Sequence, residues 1–92
     1  MKSYDAIQKE RDRLQQEILD NLDFLMGSVS TKGPRRPGFN LTFKVNQVTR
    51  TRHIRKDLEP QVKEMTARWR RLRVLLHKIS DVNWQRLNHG ML

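Results

Sequence analysis

The sequence predicts an α+β fold: a long N-terminal helix, a β-hairpin and a long C-terminal helix, with the helices packed as an antiparallel pair. Three observations carry this expectation. Apolar residues recur at helical spacing toward each end of the chain, an alternating stretch rich in β-branched residues lies between them, and a Gly/Pro-rich run separates that stretch from the first helix. Ninety-two residues allow a single small domain with a thin core, one that often leans on a partner.

The first helix is expected over residues 1–26. Ser3 is placed as its N-cap, Asp5 falls in the first turn and Gly27 follows the last. Tyr4, Ile7, Leu14, Ile18, Leu22 and Leu25 form one apolar stripe, interrupted by Arg11. Residues 27–38 carry three Gly and two Pro with almost nothing apolar, which predicts a basic loop.

Residues 39–54 read as the hairpin. Phe39, Leu41, Phe43 and Val45 alternate with Asn40, Thr42 and Lys44, and a second strand runs from Val48 to Ile54. Two registers are open. A two-residue turn at Asn46 and Gln47 pairs Val45 with Val48 and puts Arg50 and Arg52 on the face of Leu41 and Phe43. A three-residue loop pairs Lys44 with Val48, so that Lys44, Arg50 and Arg52 share a face away from the apolar residues. The second is preferred, because it separates charge from core and because Gln47 tolerates positive φ poorly compared with Gly.

Residues 57–87 are expected to be helical, with Asp57 as cap and Pro60 in the first turn. Val62, Met65, Trp69, Leu72, Leu76 and Ile79 follow an unbroken three-four rhythm, the spacing of a helix that packs along one seam. Trp69 is expected in the core against Leu14, Ile18 or Leu22. The helix either runs on through Ser80 or restarts there, and residues 88–92 read as a loose tail.

The formal charge is +9, unevenly spread. Residues 1–31 hold four Lys/Arg against six Asp/Glu, and residues 32–92 hold fifteen against four. No acid lies between Asp23 and Asp57, a stretch with eight cations: Lys32, Arg35, Arg36, Lys44, Arg50, Arg52, Arg55 and Lys56. Such a stretch repels itself unless a polyanion lies against it. Arginines two apart on a strand can straddle successive phosphates, with Thr49 or Thr51 adding hydroxyl contacts. The same charges would also protect an edge strand from aggregation. The run K-G-P-R-R-P-G at residues 32–38 is similar in outline to an AT-hook but lacks a Gly between Arg35 and Arg36, and so reads as a basic arm or a plain loop. Arg70, Arg71 and Arg73 form a second cluster on the C-terminal helix.

Catalysis finds little support. His53, His77 and His89 lie far apart without acids at ligand spacing, and there is no Gly-rich phosphate loop or paired carboxylate on the basic segment. No cofactor or metal site is expected. The absence of cysteine excludes disulfides and thiolate zinc sites and fits a reducing cytoplasm, and no apolar run approaches the roughly 18 residues of a membrane span.

Between Met26 and Leu87 the chain carries G-S-V at Gly27–Val29, T-R-T-R-H-I-R-K-D-L at Thr49–Leu58 and R-W-R-R-L-R-V-L-L-H-K-I-S-D-V-N at Arg68–Asn83. On these residues the segment resembles an uncharacterised bacterial domain family found in mobile genetic elements near transposase genes. Members carry a cysteine-containing stretch before the first strand; here Ser30–Gly38 occupies that place without cysteine. The resemblance implies a mobile-element context and no thiol or metal role.

The expected function is therefore a small, basic, non-catalytic protein that binds DNA or RNA. Its phosphate contacts are expected from Arg35, Arg36, Lys44, Arg50, Arg52, Arg55, Lys56, Arg70 and Arg71, as an accessory to a mobile-element or nucleoprotein complex. The competing class is a protein-interaction module, an accessory or inhibitory subunit that docks its helices on a larger nuclease, transposase or polymerase. A homodimer through the apolar stripe is a third arrangement.

Overall fold

The computed structural model describes residues 3–92. The architecture is α+β: helix α1 (Tyr4–Asp20), strands β1 (Ser28–Thr31), β2 (Phe39–Val45) and β3 (Val48–Ile54), a short 3-10 turn (Lys56–Leu58) and helix α2 (Glu59–Asn88). The strands form one antiparallel sheet in the order β1-β2-β3. The chain divides into two compact units: the chain up to Leu22 with Arg71–Leu92, and Asp23–Arg70.

The first unit is an antiparallel helix pair. Ser3 caps α1, its hydroxyl oxygen accepting from the Ala6 amide at 3.2 Å. Ile7, Leu14, Leu75 and Val82 are buried together, with Ile18, Ile79 and Met91 packed around them. The pairing is fixed at both ends. Tyr4 meets His89 edge to face at 5.7 Å, and Arg71 Nε donates to Asn21 Oδ1 at 3.2 Å.

Three expectations for these helices change. α1 stops at Asp20 and does not reach Met26, because Asn21 turns its side-chain amide back onto the Glu17 carbonyl at 2.8 Å. Leu75, not Leu76, fills the seam: Leu75 is 6% exposed and Leu76 44%. The tail is not loose. Gly90 takes φ +68 and Met91 N–H reaches the Arg86 carbonyl at 2.8 Å, a Schellman closure that sets the Met91 side chain on the core. α2 runs through Ser80 without a break.

The second unit sets the sheet against the first turns of α2. Leu41 and Ile54 are buried, and Lys63 Nζ stands 4.6 Å from the centre of the Phe39 ring. After α1 the chain continues without regular secondary structure into this unit. The Leu25 amide donates to the Met65 carbonyl at 3.2 Å, and Arg68 donates to the Asp23 carbonyl at 2.9 Å. Gly27 then enters β1 at φ +123, where an added Cβ would lie 2.4 Å from the Thr42 carbonyl oxygen, so only glycine fits.

Part of the region expected as loop is strand. Ser28–Thr31 pairs with β2, so the basic loop shrinks to residues 32–38 and becomes the connection of a first hairpin. The second hairpin has the register the charge argument disfavoured, with Val45 opposite Val48, Phe43 opposite Arg50 and Leu41 opposite Arg52. Asn46 and Gln47 both take positive φ, +50 and +69, the mirror-image turn that matches the twist of two paired strands. The fit to strand twist outweighs the cost of holding Gln47 in that conformation. Asp57 does not cap α2: it lies in the 3-10 turn, and Arg55 holds its carboxylate through two bonds of 3.2 and 2.9 Å.

Candidate functional site

The two units differ in charge. Asp23–Arg70 holds eleven Lys/Arg against four Asp/Glu, a balance of +7, and the remainder of the chain holds eight against six. Within Asp23–Arg70 most acids are already engaged. Asp57 pairs with Arg55, Glu59 with Lys63 at 2.8 Å and Glu64 with Arg68 at 2.7 Å. Among the described residues, no ion pair engages Arg35, Arg36, Lys44, Arg50, Arg52, Lys56 or Arg70.

These cations stand in distinct places. Arg35 and Arg36 are exposed in the β1–β2 loop, where the Arg36 amide bonds the Gly33 carbonyl at 3.4 Å and Pro34 occupies the second position of the turn. The loop is further closed by the Lys32 amide on the Gly38 carbonyl at 3.4 Å. It is therefore a turned hairpin end and not an open arm.

Arg50 and Arg52 project from β3 on the Leu41 face, and the Arg52 guanidinium lies 5.0 Å over the Phe43 ring. Arg52 also borders a cavity of about 320 Å³ formed by Leu25, Leu41, Ile54, Leu58 and Val62. Lys44 is on the opposite face of the sheet. The structure thus separates Lys44 from Arg50 and Arg52, which the preferred register would have joined. Lys56 follows β3 at the 3-10 turn, beside Arg55, whose charge is taken by Asp57. Arg70 is exposed on α2 in the same unit, whereas Arg71 belongs to the helix pair and bonds Asn21.

The face that carries Lys44 is polar throughout. Asn40, Thr42 and Lys44 stand opposite His53, Thr51 and Thr49. Ser30 on β1 shares a hydrogen bond of 3.1 Å with Thr42, and Lys32 Nζ contacts His53 Nδ1. Sequence reasoning left Lys32, Asn40, Thr42 and His53 out of the site. The signal was available in the alternation of Phe39–Val45, which assigns Asn40, Thr42 and Lys44 to one face whatever the register.

Among the described residues, no three His, Asp or Glu side chains come together in a set able to hold a metal ion, and no helix is long and apolar enough to cross a membrane. The chain matches no family model, no curated protein and no solved structure.

Proposed function

We propose that this chain is a non-catalytic nucleic-acid-binding protein whose contact surface lies in Asp23–Arg70. The observation that supports it is the mismatch of charge in that unit. Three of the four acids are held by Arg55, Lys63 and Arg68, while Arg35, Arg36, Lys44, Arg50, Arg52, Lys56 and Arg70 have no acidic counterpart among the described residues. Exposed cations without counterions gain most from a polyanion, which releases its own condensed ions when they bind. Arg71 is left out of the proposed surface, because it is tied to Asn21 in the helix pair.

The test is a titration of labelled DNA and RNA oligonucleotides over a range of salt. Affinity should fall with a log-log slope of about −0.7 to −0.9 for each phosphate contacted. A salt-independent binding curve, or no binding at low salt, defeats the reading.

A second reading is favoured by one observation. Leu76, Trp84 and Leu87 are 44%, 66% and 55% exposed along one side of α2 in the helix pair, away from Leu75 and Val82. A row of this kind suits a larger protein partner. In that case the chain serves as an accessory subunit of a nucleoprotein complex, and the resemblance at Thr49–Leu58 and Arg68–Asn83 suggests one encoded by a mobile element. Co-purification that survives high salt separates this reading from nucleic-acid bridging, since apolar contacts persist where phosphate contacts do not.

A further inference from the structure

We infer that the nucleic acid is duplex DNA, entered at its major groove by the face of the β2–β3 ribbon that carries Asn40, Thr42, Lys44, Thr49, Thr51 and His53; this rests on the nucleic-acid reading above. The sheet is covered on one face at its Leu41 and Ile54 end and open across the other face. Leu41 and Ile54 are buried on the first, beneath α2, and Lys63 stands over Phe39. None of the six residues of the other face is buried.

The composition of the open face argues for a duplex. Proteins that hold single strands stack bases on aromatic side chains. Here Phe39 and Phe43 belong to the covered face, and Trp69 of the same unit is stacked on Phe24. What the open face offers is hydroxyls, one carboxamide, one imidazole and one ammonium, with no acid. These are groups that read base edges: Asn pairs with adenine N6 and N7, Lys with guanine O6 and N7, and the Thr methyl packs on the thymine methyl.

The dimensions argue for DNA over RNA. Paired strands lie about 4.8 Å apart; the sheet is three strands wide at Asn40 and Thr42 and narrows to a two-stranded tip at Lys44 and Thr49, the form that enters the B-form major groove, which is about 12 Å wide. The corresponding groove of A-form RNA is deep and too narrow for side chains to read. Asn40 opposite His53, Thr42 opposite Thr51 and Lys44 opposite Thr49 give three successive rungs across the ribbon. Arg35 and Arg36 in the loop at one end of the sheet are then placed for backbone phosphates beside the groove, while Arg50 and Arg52 lie on the opposite face and are turned away from it.

The experiment compares one short sequence as DNA duplex, RNA duplex and single-stranded DNA by fluorescence anisotropy. Duplex DNA is expected to bind tighter than either alternative by about tenfold or more. Methylation of guanine N7, which lies in the major groove, should weaken binding, whereas the minor-groove ligand netropsin should not compete. Thr51→Glu on the open face should cost about tenfold in affinity for duplex DNA, while Ser80→Glu, the same charge change on the helix pair, should cost little. Equal affinity for all three forms, a preference for single strands or RNA, or competition by netropsin without N7 interference overturns the inference and leaves the nucleic-acid reading standing. No binding to any of them overturns both. The methylation and netropsin arms use the unaltered chain and decide the matter even if Thr51→Glu does not fold.

Discussion

Phe24 and Trp69 stack with ring centres 5.3 Å apart and planes 19° from parallel. Trp69 therefore belongs to the sheet unit, where it holds the segment after α1 onto α2, and is not part of the seam with Leu14 and Ile18. The hydrogen bond from the Leu25 amide to the Met65 carbonyl fixes the same segment one residue on. Trp69→Ala should cost about 3 kcal/mol, the lower end for a large aromatic because the ring is half-buried. Phe24→Ala should cost less, and a double-mutant cycle in urea should return a coupling of about 0.5 to 1.5 kcal/mol. Strict additivity of the two losses would show that the rings do not support each other.

The seam of the helix pair gives a sharper contrast, between adjacent residues. Leu75 lies in the buried cluster with Ile7, Leu14 and Val82, whereas Leu76 is largely in solvent. Leu75→Ala should destabilise by about 2 to 5 kcal/mol and Leu76→Ala by no more than about 0.5 kcal/mol. Denaturant midpoints of the two variants check this directly.

That contrast also shows how far the sequence could be read. Periodicity located α1, the β2–β3 hairpin and α2, because each buries one face. It failed at Leu76 because one unbroken rhythm served two surfaces. Met65 and Trp69 bond or stack with the segment Phe24–Leu25, and Leu72, Leu75, Ile79 and Val82 face the helix pair, with the phase shifting by one residue between them. β1 was missed because Ser28–Thr31 has a single apolar residue, Val29, to show alternation. The register failed because separating charge from core was assumed to be required. Arg52 instead stays on the core face by laying its guanidinium over Phe43. Of the candidate site, the acid-free stretch and its cations were legible, but their division between two sheet faces was not.

The turn at Asn46 and Gln47 carries a cost that can be relieved. Asn adopts positive φ with little strain, but Gln47 at +69 sets its Cβ close to the next carbonyl, at about 1 kcal/mol or more. Gln47→Gly should stabilise the chain by about 1 kcal/mol and raise Tm by about 4 to 8 °C at this size. Because the turn lies beyond the open face of the ribbon, nucleic-acid affinity should not change. A lower Tm would mean that Gln47 makes compensating contacts or that the turn is of another type.

The last prediction separates charge that binds from charge that folds. Arg35 and Arg36 sit side by side in the turned loop, exposed and with no ion pair among the described residues, so replacing both with Ala should leave Tm within about a degree, as exposed charges contribute little to folding. If each contacts one phosphate, the slope of log affinity against log salt should become shallower by about 1.4 to 1.8. Arg71 makes the control: its bond to Asn21 ties it to the end of α1, so Arg71→Ala should leave the salt slope unchanged and lower Tm slightly. An unchanged slope in the Arg35 and Arg36 double variant, with a shallower one in Arg71→Ala, would move the binding surface from the sheet unit to the helix pair. The basic loop would then be a solvated turn whose arginines serve only to keep the β1–β2 end of the sheet from pairing with other chains.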